Sequence, residues 1–472
     1  MSLAGKIAKN TFYQIVGKVI STLLGLASVA LITRYLGQEG FGYYTTIISY
    51  LQFFGVLIDF GLQMTTAQML ARVGVNQAKI FGNLLSLRLL SALIFLGLAT
   101  IFAWFLPYQS VVKIGIVIAV ASFFFISLQS VLIGLYQKQM AMARVATAEI
   151  LGRLTLLIGI WLSILGNYGI YPIILSVSLG SLVNFVLLYF GSFKYIKYRL
   201  ILDRETVKEI WEISWPLAIT ISLTLIYFRF DTIIMSLTRP ISEVGIYGSA
   251  YKVLEILVQF PYLFLGLILP LLTSFYTINR QLFDKLLAKV FDFMAIIVVP
   301  MVIATWIIGD KIMKFIAGDE FVAAAGPLSI LIIATAMIYF SALFGYAIVA
   351  IGKQKKMIGF YFFDAVFSLI TYLIFIPLYS YWAAAILTVI TEAIIMFAAW
   401  WLLTKEVGFC IKWQVFRKAL LAALIMSIFL EIFINQSLIT LIIIGTTIYF
   451  FVLYLLRGVK KEDVKELIKL PF

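Results

Sequence analysis

Apolar residues run through this chain in long, nearly uninterrupted blocks, and polar residues collect in the short stretches between them. A helix needs about 20 apolar residues to cross the hydrocarbon of a bilayer. Blocks of that length fall at 11–33, 41–62, 84–106, 111–135, 146–166, 170–190, 213–237, 246–276, 286–309, 326–351, 357–378, 380–403, 414–434 and 437–456. The pattern predicts an all-α polytopic membrane protein with about 14 transmembrane helices. The eighth block is long because Pro261 and Pro270 kink or interrupt it. An even number of crossings puts both termini on one side.

Composition narrows the chemistry. Of 472 residues, 63% are hydrophobic and 12% charged, about half the charged share of a soluble domain. The spans consume nearly all of the apolar residues, so no large extramembrane catalytic module fits. The single cysteine, Cys410, cannot form an intramolecular disulfide, and the chain has no histidine. His-based zinc sites, His-based triads and haem ligation by His are therefore excluded. There is no ATP-binding P-loop, no metal-ligand spacing and no nucleophile elbow. The expectation is a protein that is not an enzyme, with no cofactor beyond a coupling ion, H+ or Na+.

The net charge of +14 acquires meaning from its placement. About 27 Lys and Arg fall on the side of the termini and about five on the other, the five being Arg34, Lys113, Arg239, Lys311 and Lys314. This asymmetry predicts cytoplasmic termini in a plasma (inner) membrane, with the basic excess against anionic lipid rather than nucleic acid. Lys6 and Lys9 imitate the start of a signal peptide, but the apolar block that follows is too long and lacks a cleavage site, so it should remain as a helix. Three short amphipathic pieces should lie flat at the cytoplasmic interface: Leu3 with Ile7, Val207 with Ile210 and Trp211, and Val464 with Leu467 and Ile468. Most of the 25 Tyr and 9 Trp suit interfacial belts.

An internal repeat organises the chain. The segment from Arg34 through Gly42 to Tyr44 has an echo in Arg239-Pro240 through Gly245 to Tyr247, 203 residues on, and Gly169-Ile-Tyr-Pro172 has one in Tyr381-Trp-Ala-Ala384. Both copies would hold six helices and begin inside, as parallel repeats about an axis along the membrane normal. The domains expected are an N-terminal six-helix lobe (1–190), a basic cytoplasmic linker (191–212), a C-terminal six-helix lobe (213–403), and two further helices with an amphipathic tail (404–472).

Ionisable side chains within spans are the pointers to function, because each costs at least about 2.5–3.5 kcal/mol at mid-bilayer unless water or a partner receives it. Lys18, Asp59 and Arg88 lie in the cytoplasmic thirds of their helices, where snorkelling competes with cavity-lining. Arg229 and Asp231 on the seventh span and Lys252 and Glu255 on the eighth form a four-charge group that either lines a cavity or bridges the two helices. Glu149 and Arg153 are four apart and share a helix face. Asp364 takes the corresponding place in the second half, and Glu392 sits near mid-span, where a proton-linked carboxylate and a hydrogen-bonded structural one are both open.

The chain resembles the oligosaccharide flippases of the polysaccharide-transporter (Wzx-like) family, within the multidrug/oligosaccharidyl-lipid/polysaccharide exporter superfamily. The likeness rests on Arg34-Tyr-Leu-Gly37, Gly42-Tyr-Tyr44, Ser214-Trp-Pro216, Leu269-Pro-Leu271, Ile316-Ala-Gly318 with Glu320-Phe321, Gly352-Lys-Gln354, Ile376-Pro-Leu378 and Ala383 through Glu392. One departure is Tyr379-Ser-Tyr-Trp382, where the family carries glycines. The resemblance implies two six-helix lobes around a central cavity. It also implies alternating access that moves a polyprenyl-(pyro)phosphate-linked oligosaccharide to the outer leaflet. The cations Lys18, Arg34, Arg229 and Lys252 are candidates for its pyrophosphate. Partners implied are that lipid-linked oligosaccharide, membrane lipid and glycan-assembly proteins, with the chain a monomer. Two alternatives stand beside this: a drug/cation antiporter of the same superfamily, and a membrane glycan polymerase or ligase. The last would need a large external loop, and the longest external segment is about 310–325.

Overall fold

The computed structural model describes residues 3–458 except Phe60 and Val73, with the backbone path alone for Leu3–Lys9, Thr11, Met64, Ala67 and most of 216–228. The side chains of Leu3, Ile7 and Pro216 and the whole tail 459–472, with Val464, Leu467 and Ile468, lie outside the described residues. Among the described residues the structure is helix and turn without a strand. In chain order the α-helices are α1 (Leu3–Asp59), α2 (Leu62–Leu70), α3 (Gln77–Phe105), α4 (Ser110–Lys138), α5 (Met142–Leu165), α6 (Ile170–Ser192) and α7 (Arg204–Thr238). They continue as α8 (Ile241–Ile278), α9 (Arg280–Ala317), α10 (Ala325–Ala350), α11 (Ile358–Val407), α12 (Gln414–Ile432) and α13 (Leu438–Leu455).

Three of these depart from helical geometry inside; α9 does so at Ile308 (φ −111°, ψ 18°), nine residues before its end. α1 breaks its helical geometry at Gly37 (φ 64°, ψ −171°) and α11 at Ser380 (φ 55°, ψ −140°). Divided there, and setting aside the short α2, the described helices make fourteen long segments that follow the fourteen apolar blocks. Ten of the helices are long and apolar enough to cross a membrane, the divided α1 and α11 among them. α12 falls short of that measure because Arg417, Lys418 and Glu431 share its 19 residues.

The chain forms two compact units, Met1–Gly245 and Ile246–Pro471. In the first, close approach through small residues does much of the packing. Gly152 on α5 meets Gly180 on α6, each placed so that an added Cβ would lie 2.7 Å from the other's carbonyl oxygen. A Cβ at Gly17 on α1 would overlap Ala146 on α5, and one at Gly42 would overlap the Ile241 carbonyl. A Cβ at Gly245 would in turn run into Gln38, with the Gly42 amide 3.0 Å away. Gly42 and Gly245, the glycines equated in the first sequence echo, therefore face each other, and one close approach accounts for both.

The second unit is shaped by prolines. A proline in a helix supplies no N–H for the carbonyl four residues back, and in hydrocarbon that carbonyl must find another donor. Pro261 orphans Leu257, and the Tyr339 hydroxyl on α10 donates to the Leu257 carbonyl at 3.0 Å. Pro300 orphans Ile296, and the Tyr449 hydroxyl on α13 donates to that carbonyl at 2.8 Å. Each tyrosine thus clips a kinked helix to a neighbour.

One amphipathic piece differs from expectation. Val207 is half-buried and Ile210 only 1% exposed, packed in the first unit's core with Leu84, Leu135 and Tyr136. That face docks on protein instead of lying on the bilayer, because the linker brings it against α2 and α3. Beside the second echo, Gly169 (φ 79°, ψ −156°) opens α6 with nearly the backbone of Ser380, the residue before its counterpart Tyr381. Ser380 is buried in a region of φ/ψ that suits glycine.

Two substitutions should move stability in opposite directions. Ser380→Gly relieves the strained backbone and is expected to stabilise by about 1 kcal/mol or more. Tyr449→Phe leaves the Ile296 carbonyl without a donor and is expected to destabilise by about 1–2 kcal/mol. Thermal unfolding of the purified variants in one detergent checks both signs.

Candidate functional site

The charge-bearing residues expected to carry function settle into separate groups. On the first unit, the tight crossing at Gly17 and Ala146 sets α5 against α1. One turn beyond Ala146, Glu149 meets Lys18 at 3.6 Å. One turn further on the same face stands Arg153, exposed, at the middle of the 24-residue α5. Its guanidinium runs beside α1, where a Cβ on Gly25 would be 3.9 Å from one of its nitrogens. Among the described residues no carboxylate or carbonyl receives it.

The direction in which Arg153 points follows from the helix itself. Leu151, Ile158, Trp161, Leu162 and Leu165 are the exposed large apolar residues of α5. At 100° per residue they centre about 140° around the helix from Arg153. The lipid-compatible face and the cationic face of α5 are therefore different faces.

Asp59 and Arg88 are consumed within the first unit. Arg88, 3% exposed, holds Asp59 at 2.8 Å. It also donates to the Ile58 carbonyl at 2.9 Å, the Ser127 carbonyl at 2.9 Å and the Ser130 hydroxyl at 2.7 Å. One guanidinium thereby ties α1, α3 and α4 together at the C-terminal end of α1. Arg34 is exposed one turn before Gly37 and donates to the Ala30 carbonyl at 3.0 Å.

The four-charge group divides between the units. Arg229, half-buried, and Asp231, 1% exposed, belong to α7 in the first unit, and Asp231 accepts from the Thr232 amide. Lys252 and Glu255 belong to the second unit and pair along α8 at 2.6 Å.

The second unit buries two carboxylates, one on each half of α11. Asp364 is fully buried, with neither oxygen hydrogen-bonded, and Glu392 is 3% exposed. They lie within electrostatic reach of one another, and Glu392 also acts on Tyr262 and Tyr361. No Lys or Arg among the described residues forms an ion pair with either. The phenols around Glu392 escaped notice in the sequence because nothing distinguishes them from the other tyrosines. The buried, unsatisfied amide oxygens of Gln52, Gln129 and Asn184 in the first unit did leave a signal, as polar side chains within apolar blocks.

A family model described as polysaccharide biosynthesis protein matches residues 7–276. No curated protein matches the chain. Among solved structures, a lipid II flippase, MurJ, in an inward closed conformation is similar with a TM-score of 0.79 at 17% identity, covering 97% of this chain and 99% of that one. An inward-facing multidrug resistance MATE family transporter of the MOP superfamily gives 0.66 at 14% identity, covering 84% and 98%. A MOP superfamily transporter from Pyrococcus furiosus gives 0.58 at 14% identity, covering 86% and 96%. These likenesses establish the fold: all-helical and multi-pass.

The Asp59–Arg88 tie generates a test of its structural role. Arg88→Met leaves a carboxylate uncompensated and should destabilise by about 3–5 kcal/mol, whereas adding Asp59→Leu should recover much of the loss. Unfolding of the single and double variants measures it, and a single variant as stable as the parent would reject the role.

Proposed function

The chain belongs to the polysaccharide biosynthesis protein family, and on that premise we propose a flippase that moves a polyprenyl-(pyro)phosphate-linked oligosaccharide between leaflets by alternating access. The observation that carries this reading is Arg153, an uncommitted guanidinium at mid-span on the face of α5 turned away from its apolar residues. An unpaired cation there needs water or an anion. A lipid-linked sugar phosphate brings both, since its polar head needs a wet path while its tail stays in hydrocarbon. Lys18 stands beside it, partly neutralised by Glu149. The fold shared with a lipid II flippase supports a lipid-linked substrate. We read the chain as a carrier rather than an enzyme, acting as a monomer in the plasma membrane with both termini cytoplasmic.

The test measures binding of a polyprenyl-pyrophosphate-linked sugar to purified variants. Arg153→Ala should weaken it about 10- to 100-fold, the worth of a charge-assisted contact, with thermal stability nearly unchanged. Arg153→Lys should restore only part, because the two-pronged fork is lost. Unaltered binding would reject the role. Tight binding of a cationic amphiphile in its place would favour the drug/cation antiporter.

We assign energy coupling to Asp364 and Glu392. Two buried carboxylates without a basic partner are stable only with a bound proton or cation. In proteoliposomes, Asp364→Asn and Glu392→Gln should each remove the stimulation of transport by an imposed proton or sodium gradient. Retention of the full gradient dependence by both variants would end the assignment.

A further inference from the structure

The segment linking α6 to α7 carries charge and apolar surface that the transport reading leaves unused. α7 is 35 residues long, about 52 Å at 1.5 Å per residue, against the ~30 Å of hydrocarbon that a span must cross. Its first turns therefore project to headgroup level. There Thr206, Ile210, Ser214 and Ala218 form the buried stripe, and Arg204, Lys208, Trp211 and Trp215 form an exposed one roughly 110° around the helix. Leu200 and Leu202, in the segment just before α7, are 58% and 51% exposed.

The local acids are already answered from within the protein. Asp203 pairs with Lys79 at 2.9 Å and accepts from the Thr206 amide and hydroxyl, contacts that hold its carboxyl down to about 2. Glu209 pairs with Arg72, and Glu212 with Lys208. The pairs to Lys79 and Arg72 pin the start of α7 to α3 and to the turn after α2, assisted by Gly82, where a Cβ would overlap the Arg199 carbonyl. What remains is unbalanced: Lys194, Lys197, Arg199 and Arg204 are exposed and make no ion pair among the described residues, with Glu205 the one acid left beside them.

We propose that residues 194–215 form a docking surface for the anionic headgroups of the adjoining lipid leaflet. Lys194, Lys197, Arg199 and Arg204 take the phosphates, and Leu200, Leu202, Trp211 and Trp215 enter the interface. Charge complementarity selects this occupant, because uncommitted cations beside exposed leucine and tryptophan match a surface that is anionic outside and apolar beneath. The ion pairs to Lys79 and Arg72 carry the attachment into the first unit. The inference rests on the membrane reading of the fold and is independent of the substrate.

The full chain, purified in detergent, is titrated with phosphatidylglycerol or phosphatidylcholine while its thermal midpoint is followed. Phosphatidylglycerol should raise the midpoint more, and the difference should shrink severalfold at about tenfold higher salt. The combined Lys194→Gln, Lys197→Gln, Arg199→Gln, Arg204→Gln variant should lose about tenfold in apparent affinity for phosphatidylglycerol. Replacing the two lysines by arginine should preserve it. Neutralising Lys353, Lys355 and Lys356 in the second unit serves as the control; an equal loss there would show a general charge effect and overturn the proposal. Equal stabilisation by inorganic phosphate would likewise overturn it. Depth is read separately: with Cys410→Ser as background, a dye on Leu200→Cys in bilayers should be quenched by a shallow spin-labelled lipid, and absence of quenching would refute insertion. None of these readouts uses transport, so their failure is distinct from failure of the flippase reading.

Discussion

Hydrocarbon offers no hydrogen bonds, and most of the internal architecture follows from that. A carbonyl released by a proline or a charge placed in a span must be met by another part of the chain, since solvent will not meet it. Arg88 shows the rule in full, serving the carboxylate of Asp59, two carbonyls and a hydroxyl at once. Tyr339 and Tyr449 show it for backbone, each arriving from another helix at the carbonyl a proline left bare. Against such matching, the charge-bearing side chains without an ion-pair partner among the described residues become informative: Arg153 in the first unit, and Asp364 with Glu392 in the second.

The two units differ in the sign of what they leave open. The first presents a guanidinium on a face distinct from its apolar surface, suited to an anionic head. The second buries acids, suited to a proton or a small cation. Substrate and coupling ion would then act on different units, and their linkage would have to pass through the conformation of the whole chain rather than through a shared ligand.

Much of this was legible in the residues. The spans were, because a block of apolar residues long enough to cross a bilayer has few other uses, and the fourteen blocks reappear as fourteen long helical segments once α1 and α11 are divided at their turns. The departure at Tyr379-Ser-Tyr-Trp382 was legible too: a serine stands where backbone geometry suits glycine, and the structure puts the strained φ on Ser380 itself. Partnerships between distant helices were not. Nothing in the sequence joins Tyr449 to Ile296 across 153 residues, and hydropathy could not tell that Ile210 faces protein while Trp211 next to it faces outward. Periodicity reports which residues share a face; it does not report what that face meets.

The manner of packing bears on how such a protein could move. In the first unit, α5 and α6 touch backbone to backbone at Gly152 and Gly180, and α1 meets α5 at Gly17. Contacts of this kind are short-ranged and stereospecific, so a shift of an ångström or so loses them. In the second, a kinked helix held by a tyrosine to its neighbour cannot straighten without stranding a carbonyl, and straightening alone would not restore the amide hydrogen that proline lacks. Both devices penalise deformation within a unit. The alternating access we propose would then draw its displacement from elsewhere, from motion of a unit as a body or from turns such as Gly37 and Ser380, where the helices already depart from regular geometry. The strain at Ser380 has a consequence on this view: a residue that holds an unfavourable φ narrows the range of backbone the turn can adopt, and glycine in its place would widen it. Stability gained by removing the strain and control lost over the turn would come from the same substitution.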